Sequence, residues 1–128
     1  MPLPIVLVVE SSGLDAAVLR ETIEPDGFRV VVARSAREAI GRAHRLPVEM
    51  AVINVQLSDF DGLSLAPLLR AIHENIAIIY TSNWHEATIE AQARRLGAVF
   101  YTPKPFDPRV IRRTLLSAYT ASRPAWNV

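Results

Sequence analysis

In Gly97-Ala98-Val99-Phe100-Tyr101-Thr102-Pro103-Lys104-Pro105-Phe106, a glycine is followed by a short apolar run and then by a lysine joined to a proline. Glycine takes the left-handed backbone conformation that ends a helix. The run Val99 to Tyr101 suits a short strand. A lysine just past a last strand falls at the carboxyl ends of the strands, where open α/β sheets bind their ligands.

The same alternation runs backward through the chain. Apolar, β-branched runs occur at Ile5 to Val9, Arg29 to Ala33, Met50 to Val55 and Ala77 to Thr81. Most are apolar throughout rather than alternating, as expected of strands covered on both faces. Helical patterns lie between them. The first, about Leu14 to Glu24, places Leu14, Ala17 and Val18 on one face and stops at Pro25, with Asp26-Gly27 as the turn. Ser35 to Glu38 reads as a capping box opening a helix to about Arg45. The third starts near Leu63, with Pro67 expected in or near its first turn. The fourth runs about His85 to Leu96, and the last opens on Asp107-Pro108. Right-handed crossovers then imply an open, doubly wound, five-stranded parallel sheet of (βα)5 type.

Bulk properties narrow the function. A chain of 128 residues, half of them apolar, builds one core: a domain over 1–121 and a tail over 122–128 that reads as a frayed end or the start of a linker. Fourteen basic against thirteen acidic residues give no field for nucleic acid or membrane. No cysteine is present, which excludes disulfides and thiolate chemistry and fits a cytoplasmic location. His44, His73 and His85 share no metal-ligand spacing and read as surface residues. Chemistry is sought at the strand ends: Glu10, Ser11, Asn54, Ser82 and Lys104.

Gly97-Ala98 followed by Lys104-Pro105-Phe106, with Asp61-Gly62 after the third strand, Gly27-Phe28 before the second and Ala33 after it, resembles the bacterial response-regulator receiver domain from Ile5 to about Ser117. The resemblance implies the flavodoxin-like receiver sandwich and a crevice holding Mg²⁺, a phosphoacceptor aspartate, a hydroxyl residue, an aromatic switch and a lysine. It assigns the acidic-pair positions to Glu10 and Ser11 and the phosphoacceptor position to Asn54. Lys104 takes the lysine position, and Lys104-Pro105 the peptide that is usually cis. Ser82 takes the hydroxyl position, with Thr81 as the fallback, and Tyr101 the aromatic position.

The chain departs from that pattern where charge matters. Ser11 removes one carboxylate, and Asn54 offers an amide that is a poor nucleophile and carries no charge for a hard divalent cation. The expectation is therefore a pseudo-receiver: not an enzyme, with a degenerate Mg²⁺ site of weak or no affinity, acting through protein contacts. Its expected partners are a histidine kinase, an output protein or another regulator, with a possible homodimer through the helix 4, strand 5, helix 5 face. Tyr101 would centre that face, with Arg109, Arg112 and Arg113 on one side of the last helix as its rim. Rival readings are phosphorylation on Glu10, Asp59 or Asp61, an Asp-to-Asn change introduced at position 54, and a flavodoxin-like cofactor site at Ser11-Ser12-Gly13. An introduced change at 54 would leave Ser11 unexplained.

Overall fold

In the computed structural model, which describes residues 3–122, the first strand is buried along its whole length. The elements run β1 (Ile5–Val9), α1 (Gly13–Ile23), a 3-10 turn (Glu24–Asp26), β2 (Arg29–Ala33), α2 (Ala36–Arg45), β3 (Val48–Asn54), α3 (Gly62–Ile72), β4 (Ala77–Ser82), α4 (Ala87–Arg95), β5 (Phe100–Pro103) and α5 (Pro108–Ser122). The strands form one parallel sheet in the order β2-β1-β3-β4-β5. Two apolar layers cover it. Leu7, Ala51, Ile53 and Ile78 meet Leu65, Leu69 and Ala93 on one face, while Val6, Val8, Val52 and Ile79 meet Leu19, Ile23, Ile111 and Leu115 on the other. This is the expected five-stranded doubly wound fold. Because β1 lies between β2 and β3, the chain reverses direction across the sheet there, and a crevice opens at the strand ends.

Several boundaries differ from the expectation. β3 starts at Val48 and ends at Asn54, β4 reaches Ser82, β5 is shifted to Phe100–Pro103, and α4 begins at Ala87. The buried stripe of α1 is Ala16, Leu19 and Ile23, at helical spacing, whereas Leu14 is 75% exposed and Ala17 faces solvent. Leu14 lies in the first turn of α1, off the stripe that meets the sheet. α5 extends through Ser122, and residues 123–128 of the expected tail lie outside the described residues. His73 is no free surface residue: its Nε2 lies 2.7 Å from the Ala43 carbonyl oxygen, tying the end of α3 to α2. Among the described residues no helix is long and apolar enough to cross a membrane.

Pro67 sits inside α3 beyond its first turn, so the Leu63 carbonyl has no N–H donor four residues on. The buried Tyr80 hydroxyl of β4 donates to that carbonyl at 2.8 Å. Tyr80 thus satisfies a bond that proline removed, and burial pushes its own ionisation well above the ordinary tyrosine value. The α2 cap is also more elaborate than a capping box. Ser35 Oγ accepts from the Glu38 N–H at 3.1 Å, but Glu38 accepts from the Arg34 N–H at 3.3 Å rather than from that of Ser35. Asp59 then accepts from the Ala36 and Arg37 N–H groups, each at 3.0 Å. Those two backbone bonds hold its carboxyl below the usual aspartate range.

Replacing Tyr80→Phe should cost about 1–3 kcal/mol, the penalty of leaving one buried carbonyl unpaired. Adding Pro67→Ala, which restores the N–H, should recover part of that loss, and a double-mutant cycle of urea unfolding reads the coupling directly. Asp59→Asn should lower the melting temperature at neutral pH. Since the folded carboxyl titrates below its unfolded value, the advantage of Asp59 is present above the unfolded value and disappears as pH falls through the folded one. The two melting curves should therefore converge in acid.

Candidate functional site

Parallel pairing of β1 with β3 and of β3 with β4 brings the last residues of these strands side by side. Glu10 follows β1 at 2% exposure, Asn54 ends β3 at 1%, and Ser82 ends β4 at 0%. Lys104 follows β5, its N–H donating to the Ser82 carbonyl at 2.7 Å, and the Lys104-Pro105 peptide is cis as expected. The chain turns closely behind Asn54. A Cβ on Gly62 would lie 2.2 Å from the Asn54 carbonyl oxygen, so glycine is required there for α3 to start against the end of β3.

A buried carboxylate must be paired. Glu10 Oε1 takes the Lys104 ammonium at 2.8 Å, and Glu10 Oε2 accepts from the Ser12 N–H at 3.0 Å. The Asn54 amide NH₂ lies 3.2 and 3.1 Å from the two Glu10 oxygens and 3.0 Å from Asn83 Oδ1. Asn54 Oδ1 accepts from the Gln56 N–H at 3.0 Å, so both ends of this amide are engaged. Lys104 reaches Asp15 as well, at 2.7 Å. Burial opposes its charge, but the hydrogen bonds it donates to Asp15 and Glu10 outweigh that and raise the ammonium above the ordinary lysine value.

A second chain of bonds fixes the hydroxyl. Ser82 Oγ accepts from Gln56 Nε2 at 2.9 Å and donates to the Trp84 carbonyl at 2.6 Å, while Gln56 Oε1 accepts from the Asn83 N–H at 2.6 Å. Thr81, the fallback, lies opposite Asn54 in the strand register, and Ser82 is the residue whose hydroxyl joins the network. Tyr101 packs against the core layer of α2, α3 and α4, with its ring 6.1 Å from that of His85, and its hydroxyl is buried without a hydrogen-bond partner.

Other expected candidates are deployed elsewhere. Asp59 caps α2, and Asp61 caps α3 by accepting from the Leu63 N–H at 3.1 Å, so both carboxylates expected near the crevice are committed to helix ends. At Ser11-Ser12-Gly13, Ser12 is the N-cap of α1 and its N–H is held by Glu10, which removes a donor a bound phosphate would need. The arginines of α5 differ in their partners. Arg112 pairs with Asp26 at 3.2 Å on the α1 side, Arg109 pairs with Asp107 at 3.2 Å, and Arg113 stays exposed.

Mg²⁺ wants near-octahedral oxygen ligands. Here Glu10 is saturated by donors, the NH₂ of Asn54 faces the carboxylate, and the Ser11 carbonyl accepts from the Arg34 guanidinium. This donor set does not fit that ion. Asp15, Arg34, Gln56 and Asn83 were not singled out from the sequence. Gln56 stands two residues beyond Asn54 and Asn83 directly after Ser82, so their positions were a usable signal, whereas Asp15 in a first helical turn reads as an ordinary dipole partner.

The acid tolerance regulatory protein ActR of Rhizobium meliloti (strain 1021) is 30% identical over 110 residues, covering 86% of this chain and 57% of that protein. A protein-glutamate methylesterase/protein-glutamine glutaminase of Rhodopseudomonas palustris (strain BisB5) is 31% identical over 108 residues, covering 81% of this chain and 28% of that protein. The chain therefore spans only part of the length of these curated relatives. The Francisella response regulator 1452 receiver domain superposes with a TM-score of 0.85 at 23% identity, covering 94% of this chain and 99% of that one. With residues 6–116 matching the response regulator receiver domain and the strand-end crevice in place, the chain belongs to that family of two-component signalling modules.

Proposed function

We propose that this receiver works as a pseudo-receiver, a cytoplasmic protein-interaction module that is not switched by aspartyl phosphorylation, catalyses no reaction and does not depend on Mg²⁺. One observation carries the reading: the Asn54 side chain, at the phosphoacceptor position, directs its NH₂ at Glu10 while Lys104 neutralises the same carboxylate. An amide in that role presents no nucleophilic oxygen to phosphorus and no charge to a divalent ion. Lys104 supplies a positive charge to Glu10, which supports a crevice that does not depend on a cation. Of the alternative carboxylates, only Glu10 lies in the crevice network, and it is masked by three donors.

The partners that fit are a histidine kinase, an output protein or a second regulator, docking on the face formed by α4, β5 and α5. On this reading Tyr101 would centre the face, and the exposed Arg109 and Arg113 would form its charged rim. A formal charge of +1 gives no support to a nucleic-acid partner.

An amide NMR titration with Mg²⁺ and then beryllofluoride tests the reading, because that phosphoryl mimic needs both a metal and an acceptor carboxylate. No saturable shift is expected at Asn54, Ser82 or Lys104; shifts spreading from the crevice to Tyr101 would refute it. Lys104→Met should destabilise the fold by about 3 kcal/mol in urea unfolding, the low end for breaking a buried pair, because Asn54 and Ser12 still reach Glu10. With the folded ammonium titrating above its unfolded value, the lysine's contribution is intact at neutral pH and is lost only as pH rises through that raised value.

A further inference from the structure

Beyond the Glu10–Lys104 pair, each group that a phosphoryl-binding crevice would use is also engaged by a residue outside the acidic positions. The Lys104 ammonium is drawn 2.7 Å from Asp15 on α1. Asn83 places its side-chain oxygen 3.0 Å from the Asn54 NH₂, in the space an adduct on residue 54 would enter. Gln56 binds the Ser82 hydroxyl and fixes Asn83 through its backbone N–H, and that hydroxyl is turned onto the Trp84 carbonyl. Asp15, Asn83 and Lys104 line one hollow of about 440 Å³ together with Val18, Pro105 and Phe106, so the three side chains share the same space at the crevice mouth.

Resting on the reading that this receiver is not phosphorylated, we propose that Asp15, Gln56 and Asn83 form a second lock on the crevice, independent of the missing acids. They are positioning residues. Asp15 shares the lysine's ammonium with Glu10 and so takes up a donor a phosphoryl group would need, Gln56 engages the serine hydroxyl, and Asn83 sits against the side chain of residue 54. The lock survives restoration of the acids. A carboxylate at position 54 meets an Asn83 amide that turns its NH₂ inward to donate, and the Asp15–Lys104 ion pair is untouched. Carboxylates at positions 11 and 54 return the oxygens a metal needs, but neither the room nor the lysine and hydroxyl donors a phosphoryl group needs.

The test compares the unaltered chain with two variants in a Trp126→Phe background, where Trp84 is the remaining tryptophan and sits in the β4–α4 loop. The first variant carries Ser11→Asp and Asn54→Asp; the second adds Asp15→Asn, Gln56→Ala and Asn83→Ala. Thermal unfolding verifies that each is folded. Amide shifts at Ser82 and Lys104 and Trp84 emission then report binding of Mg²⁺ alone and of beryllofluoride in Mg²⁺. The expected result is that both variants bind Mg²⁺, while beryllofluoride binds at least about tenfold more tightly to the second. Equal beryllofluoride affinity in the two variants overturns the lock, as does a folded second variant that binds none, while the unaltered chain stays silent in both cases. Binding by the unaltered chain would instead overturn the reading of the site itself.

Discussion

The buried ion pair between Glu10 and Lys104 organises the crevice. A carboxylate at the end of β1 that is almost wholly withdrawn from water cannot stand without donors. The sheet order β2-β1-β3-β4-β5 brings the end of β3 beside it, and the chain beyond β5 carries the lysine to it. Asn54 and the Ser12 N–H complete the shell. A pair of this kind is worth little in net stability against an apolar replacement, but it is costly to break from one side. Its effect is therefore on specificity: it fixes where Lys104 and Asn54 point, and through Gln56 and Asn83 it constrains Ser82. On the proposed reading, charge neutralisation that elsewhere would fall to a bound cation is built into the polypeptide.

How much of this was legible in the sequence depended on the kind of interaction. Ile5–Val9 is apolar and buried throughout, and Arg29–Ala33 is apolar after its exposed first residue, so both strands are legible to the residue. Where an apolar run continues past the end of the strand, as at Val55, or where the strand carries an acidic residue, as at Glu49 in β3, the ends slip. Leu14 is apolar yet exposed, since hydrophobicity alone does not decide burial, and the stripe that meets the sheet is Ala16, Leu19 and Ile23. Nothing local to Pro67 reveals that a tyrosine in the next strand satisfies the carbonyl the proline leaves bare.

The site divided along the same line. Glu10, Asn54, Ser82 and Lys104 sit at strand ends, a position defined by topology, and the structure brings all four together. Side chains that reach the crevice from helices and loops depend on rotamers and on what their neighbours leave unpaired. Asp15 and Asn83 are visible as residues but not as partners until Lys104 and Asn54 have directions. Asp59 shows the converse, since its proximity to the crevice in sequence gives way to two backbone N–H groups at the start of α2. Of the arginines of α5, Arg112 is taken up by Asp26 and Arg109 by Asp107, pairings that helical spacing alone does not reveal.

A domain without the phosphorylation chemistry still has conformational states that a partner could select, provided the partner prefers one of them. The Tyr101 hydroxyl is buried without a hydrogen bond, so its inward position rests on packing. The central claim is that Lys104, rather than a divalent ion, is the counter-charge of Glu10. A high-resolution crystal structure grown in a large excess of MgCl₂ tests it most directly. The account predicts the Lys104 ammonium in hydrogen-bond contact with Glu10 and Asp15, with no octahedral density between Glu10 and Asn54. A hydrated Mg²⁺ bound to Glu10 and the Asn54 side-chain oxygen, with Lys104 swung out to solvent, would contradict it.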